Sequence, residues 1–151
     1  MKYYLIKNAD GSVSVMTMVV QPDGSFSTPD ADMAKWHPTL KDNVVSWREI
    51  KPSHIPRDRA FRDAWCDVTA APTIDINMTK AKDIHRNRLR AMREPKLAAL
   101  DVEMTRAFAD PAKQAAIDAK RQALRDVTKD PSIEAAKTPE ELIAVIPDVL
   151  K

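Results

Sequence analysis

The chain is 151 residues long, 44% hydrophobic, 30% charged and 5% aromatic, with a formal net charge of +2 and one cysteine. That length holds one domain, or one domain with a small appendage, and the scarcity of aromatics leaves Leu, Ile, Val, Met and Ala to build the core. A single cysteine, Cys66, excludes an internal disulfide framework; no apolar run approaches the roughly 20 residues of a membrane span; and the opening Met1-Lys2-Tyr3-Tyr4-Leu5-Ile6 lacks the features of a signal peptide, so a reducing cytoplasm, or an assembly built there, is the expected location.

Residues 2–7 and 12–20 are apolar and β-rich, and Asn8-Ala9-Asp10-Gly11 between them predicts a hairpin in which Gly11 supplies φ > 0. A second Asp-Gly, Asp23-Gly24, predicts another turn leading into Ser25-Phe26-Ser27. No glycine follows Gly24, so the rest of the chain must turn by other means. Pro29-Asp30-Ala31-Asp32 opens a short helix through Trp36, stopped by His37-Pro38. The alternation from Val44 to Ile50 predicts a third strand, which a marginal lone hairpin requires. Residues 1–50 therefore read as a small antiparallel β-rich domain with net charge −1, from five Lys/Arg against six Asp/Glu.

Residues 51–77 read as a connector. Within it Phe61 and Trp65 are spaced i, i+4, with Ala60 and Ala64 beside them, which predicts a short amphipathic helix. Its aromatic pair has two readings: a core anchor between the two halves of the chain, or a contact for a partner. Ala70-Ala71-Pro72 begins a second linking stretch, with Thr73-Ile74-Asp75-Ile76 extended.

The organising element is a helical pair over residues 78–130, within a helical domain spanning 78–151. Leu97, Leu100, Met104, Ala107 and Phe108 fall at i, i+3, i+7, i+10 and i+11, one face of an α-helix. After a break at Asp110-Pro111, Ile117 and Leu124 stand a heptad apart, and Ala116, Ala123 and Val127 widen the stripe. Two amphipathic helices joined by so short a turn fold back as an antiparallel pair. Pro95 either kinks the first helix or divides it. Asp110-Pro111, Asp130-Pro131 and Thr138-Pro139 each join a capping residue to Pro at the first helical position. Thr138 and Glu141 complete a capping box ahead of a last short helix over 139–146. The expected class is α+β: a small N-terminal antiparallel β element, then an α-helical hairpin and a short C-terminal helix.

No pattern names a reaction. His37, His54 and His85 are scattered, Cys66 has no partner at a metal-ligand spacing, and no glycine-rich phosphate loop can form after Gly24. Glu140 and Glu141 are explained by the capping box and the helix dipole. Neither catalysis nor a metal or cofactor is expected. Residues 79–96 carry seven Lys/Arg against Asp83 and Glu94, a local net of +5. Lys82, Arg86, Arg90 and Arg93 occupy successive turns, so an alternative reading is a nucleic-acid-binding helical adaptor that tracks phosphates with this row. No helix-turn-helix, zinc finger or ribonucleoprotein motif accompanies it, and a solvated face is the plainer reading.

The segments Arg86-Asn87-Arg88-Leu89-Arg90, Lys96-Leu97-Ala98-Ala99-Leu100-Asp101 and Lys120-Arg121-Gln122-Ala123-Leu124-Arg125-Asp126-Val127, with the close Ala144-Val145-Ile146-Pro147, carry a resemblance. They resemble the C-terminal helical module of small tail-region proteins of tailed bacteriophages, notably tail fibre assembly proteins and tail assembly chaperones. The segment from Ile55 to Trp65 is similar to one in small phage and prophage proteins near tail genes. The resemblance implies a non-enzymatic protein that binds a tail fibre or another tail or baseplate component, in the host cytoplasm during assembly or as a part of the virion. Whether it also forms homo-oligomers stays open. The candidate contact residues are the aromatic pair Phe61 and Trp65 together with the row Arg86, Arg90 and Arg93, because aromatic and arginine side chains dominate binding hot spots. Arg121, Arg125 and Asp126 are expected to pair within and between helices, with Asp101 and Asp118.

Overall fold

The structure is a computed structural model describing residues 1–36, 39, 42–69 and 71–151. The chain is α+β and divides into two compact units, Met1–Asn77 and Met78–Lys151.

The first unit contains β1 (Lys2–Asn8), β2 (Val13–Met18), α1 (Pro29–Trp36), β3 (Val44–Ile50), β4 (Trp65–Cys66) and β5 (Asp75–Ile76). The main sheet has the order β2-β1-β3 and is antiparallel throughout, with Tyr3 opposite both Thr17 and Ile50. Alternate side chains of a strand point to opposite faces. Tyr4 and Ile6 therefore pack with Met18 and Met33 on one side of the sheet, while Leu5 packs with Val13, Ile50, Trp65 and Ile74 on the other. The central strand is buried on both faces, which is why its sequence reads as an unbroken apolar run. Tyr4 meets Trp47 edge to face at 5.4 Å, and the Trp47 indole N–H donates to Asp30 of α1 over 3.0 Å.

Both Asp-Gly turns form with the same chemistry. Gly11 and Gly24 take φ of 78° and 82°. Asp10 accepts from the Ser12 N–H at 2.9 Å, and Asp23 accepts from the Ser25 N–H at 2.9 Å. α1 begins at the expected Pro29 and ends at Trp36; the His37-Pro38 stop lies outside the described residues.

The segment expected as a connector is instead part of the first unit's core, and the helix expected across Phe61 and Trp65 does not form. Asp58 accepts from the Ala60 N–H at 2.8 Å, a local turn that competes with helix at its start. A single 3₁₀ turn, Arg62–Ala64, follows, and Trp65 then enters β4, opposite Ile76 of β5. Arg48 of β3 grips this small hairpin by a forked contact to Asp67 at 2.8 and 3.3 Å and a bond to the Ala71 carbonyl at 2.7 Å. Asp75 accepts from the N–H groups of Val68 and Thr69 and from the Thr69 hydroxyl; those bonds, the Thr69 N–H foremost, hold its carboxyl below the usual range.

The second unit contains α2 (Met78–Arg106), α3 (Pro111–Asp126), α4 (Pro131–Ala135) and α5 (Pro139–Ala144), with 3₁₀ turns at Val127–Lys129 and Asp148–Leu150. α2 runs unbroken through Pro95. The proline removes one rung of the ladder, at an exposed position. α3 folds back on α2, and Arg121 joins Asp118 on its own helix to Asp101 on the facing one. All three capping residues act as expected: Asp110 accepts from Lys113 N–H, Asp130 from Ser132 N–H, and Thr138 forms its capping box with Glu141. The Lys113 N–H bond lowers the Asp110 carboxyl pKa.

Three expected positions of the apolar stripe differ. Phe108 is exposed, because α2 ends at Arg106 and the turn that follows loses the helical phase. Ala116 and Ala123 are exposed, since α3 meets α2 along the narrow seam of Ile117, Leu124 and Val127.

All three tryptophans and both tyrosines lie in the first unit, at positions 36, 47, 65, 3 and 4. Indole fluorescence therefore follows the first unit, whereas ellipticity at 222 nm is dominated by the long helices of the second. In a urea titration the two probes are expected to give non-coincident transitions; superimposable curves would show that the units unfold as one.

Candidate partner-binding surface

Phe61 and Trp65 do not form an accessible aromatic pair. They are 3% and 4% exposed, Trp65 within the cluster of Leu5, Val13, Ile50 and Ile74. A residue that fills the core of its own unit presents no ring to a partner unless that unit opens, so the geometry matches the core reading. Among the described residues the buried Trp65 indole nitrogen has no hydrogen-bond acceptor, and the ring is held by apolar burial in its cluster.

The arginine row is largely occupied inside its own unit. Lys82 donates to the Glu134 carbonyl over 2.7 Å. Arg86 bridges Asp83, at 2.9 Å, and the Glu134 carboxylate. Arg93 donates to the Arg125 carbonyl at 3.0 Å. Arg90 alone of the three candidate arginines is exposed, and its guanidinium donates to the Asn87 side chain. Pairs of this kind are worth about 0–1 kcal/mol each at a surface, but Lys82 and Arg86 are 17% and 24% exposed at the side chain and thus also pack their stems. The row fastens α4 and the end of α3 to α2. Arg121 makes the pairs expected of it, whereas Asp126 pairs with Lys129 and Gln122.

Exposed apolar surface occurs elsewhere. Phe108, at the turn joining α2 to α3, is 85% exposed, and Val102 in the closing turns of α2 is 51% exposed. In the first unit a cavity of about 460 Å³ opens beside α1, with Ile6, Met16, Met33 and Val44 among its apolar lining and Asn8, Ser14 and Asn43 among its polar lining. Among the described residues no group of three or more His, Cys, Asp or Glu converges as a metal site would require, and no helix is long and apolar enough to cross a membrane.

Compared with family models, curated proteins and solved structures, the chain matches none.

One residue with structural weight escaped the sequence reading. His85 is 1% exposed, and its Nε2 lies 2.9 Å from the Val145 carbonyl. The imidazole is thereby the tie between α2 and the chain leaving α5. Its signal was positional: Ala81, His85 and Leu89 recur at i, i+4, i+8 on the buried face. Burial lowers its pKa, the positive charge of Arg88 adds to this, and the Val145 bond opposes it.

Two outcomes follow from this geometry. Trp65→Ala is expected to destabilise the first unit by about 3–5 kcal/mol, while Trp65→Phe, which also removes the unsatisfied indole N–H, is expected to cost far less; urea denaturation read by the fluorescence of the remaining tryptophans checks both. For His85 the unfolded chain binds a proton near pH 6.5 and the folded chain only at lower pH. Its contribution is therefore intact above that pH and is lost as pH falls from 6.5 toward the lowered folded value. Melting at 222 nm between pH 7.5 and 5.5 should show this slope in the native protein and a flatter one in His85→Gln.

Proposed function

We propose that this chain is a non-enzymatic binding protein of the phage tail region, an assembly factor or structural part that engages a tail fibre or another tail or baseplate component. The resemblance of the α2 and α3 segments to phage tail accessory proteins gives the partner class. The observation that carries the binding reading is Phe108, a large aromatic 85% exposed on the turn between two packed helices. A large aromatic held out on a short turn between two helices offers apolar area to a partner, the property of a binding anchor. Such an anchor covers surface that an unassembled fibre would otherwise expose to aggregation. On this reading the contact residues move from Phe61 and Trp65, which are core, to the hairpin tip, with Arg90 as the arginine of the original row that remains exposed.

The protein would act in the host cytoplasm during assembly, and mass spectrometry of purified particles would tell whether it stays in the virion. Co-expression with the fibre or baseplate protein encoded beside it is the test. Phe108→Ser is expected to abolish co-purification and the gain in soluble partner, while shifting stability by no more than about 0.5 kcal/mol because the ring is exposed. Undiminished co-purification would remove the tip from the interface. Retention on duplex DNA with a steep salt slope, lost in Arg88→Ala/Arg90→Ala, would favour the nucleic-acid reading instead.

A further inference from the structure

We propose that β2 is a strand-pairing edge through which two copies of this chain join, antiparallel, into one continuous sheet. The stretch Val13-Ser14-Val15-Met16-Thr17-Met18-Val19-Val20 holds eight residues without a charge, a proline or a glycine, in a chain where 30% of residues are charged. In the first unit β2 is an outer strand of the order β2-β1-β3; among the described residues no backbone group pairs with the outer side of Val13–Met18, and just beyond it Val20 bridges Phe26 of the same chain. The bond from Asn8 N–H to the Ser12 carbonyl, at 2.9 Å, sets the alternation of the ladder. With Lys7 opposite Val13, that alternation turns the N–H and C=O of Val13, Val15 and Thr17 outward.

Edge strands are normally defended against such pairing by charges, prolines or bulges. β3, the opposite edge, has those defences: Arg48 and Glu49 lie on it, Glu49 paired with Lys2 at 3.0 Å, and the register shifts between Lys7 and Asn8 where it meets β1. β2 has none. The contrast selects the occupant. Joining β2 of one copy to β3 of another would set an uncharged strand against a charged, irregular one and would propagate without closing. β2 against β2 is isologous, closes at two copies, and opposes no charges. The outward groups of one strand must meet outward groups of the other, so the two-fold axis passes through Val15 or Met16. With the axis at Val15, Val13 faces Thr17 and Val15 faces its own copy across the junction, a register that stops short of Val20, which bridges Phe26 of the same chain.

The test is sedimentation velocity of the full chain over a wide concentration range, with indole emission as the check that the first unit stays folded. The native protein is expected to move from monomer to dimer. Thr17→Pro removes only an outward N–H, leaving the ladder to β1 intact, and Ser14→Lys adds the charge that the edge lacks; both should remain monomeric, and either one alone decides the matter if the other unfolds. Val45→Lys, on the β3 edge, should still dimerise. In the dimer, amide exchange at Val13, Val15 and Thr17 should slow relative to Ser14→Lys. A native protein that is monomeric at every concentration overturns the proposal, as does a dimer that survives in a folded Thr17→Pro or Ser14→Lys variant, or one abolished by Val45→Lys.

Discussion

The buried stripe of α2 is the constraint that the rest of the second unit answers. A helix of 29 residues with many charged side chains gains little stability by itself; what holds it is the cover over one face. That cover comes in two pieces. Along the second half of α2, α3 supplies Ile117 and Leu124 opposite Leu100 and Ala107. Along the first half, Ala81, His85 and Leu89 are covered by the short helices α4 and α5, with Ile133 and Leu142 fully buried. The short helices could not persist alone, so their caps matter: Asp130 and Thr138 satisfy first-turn N–H groups that burial against α2 would otherwise leave costly. Val145, where α5 ends, returns its carbonyl to His85 of α2, so the last segment of the unit is fixed to the helix it covers.

What was legible in the sequence was what local chemistry decides. Asp-Gly-Ser is a turn wherever it sits in this chain, because the Asp oxygen, the Gly φ and the Ser N–H lie within three residues. Asp-Pro and Thr-Pro mark helix starts for the same reason. β1 and β2 were legible as apolar, β-rich runs on either side of an Asp-Gly turn, and β3 by its alternation. What was not legible depended on distant partners. Phe61 and Trp65 are spaced as on a helix, but two aromatics cannot fix a period, and Asp67, held by Arg48 of β3, together with the β5 pairing pulls Trp65 into a strand. A connector that contributes Trp65 and Ile74 to the core looks in sequence like any proline-bearing linker. Phe108 satisfied the helical spacing, yet a helix end displaced by three residues turned it from core to tip.

The basic run of α2 teaches the same lesson about electrostatics. Residues 79–96 carry a net +5 when counted alone, because the count stops at the ends of the run. Folding brings Glu134 from α4 against Lys82 and Arg86, and the Arg125 carbonyl from α3 against Arg93. Over the whole second unit 15 Lys/Arg stand against 12 Asp/Glu, a net of +3. A phosphate backbone would have to displace Glu134 and loosen α4 from α2 to reach Lys82 and Arg86, giving up apolar cover as well as ion pairs. The exposed cations of the run, Lys80, Arg88 and Arg90, are too few for the long phosphate track that the sequence spacing suggests. The row's first effect is to hold the short helices in place, which leaves outside the apolar turn at Phe108 and the exposed alanines of α3.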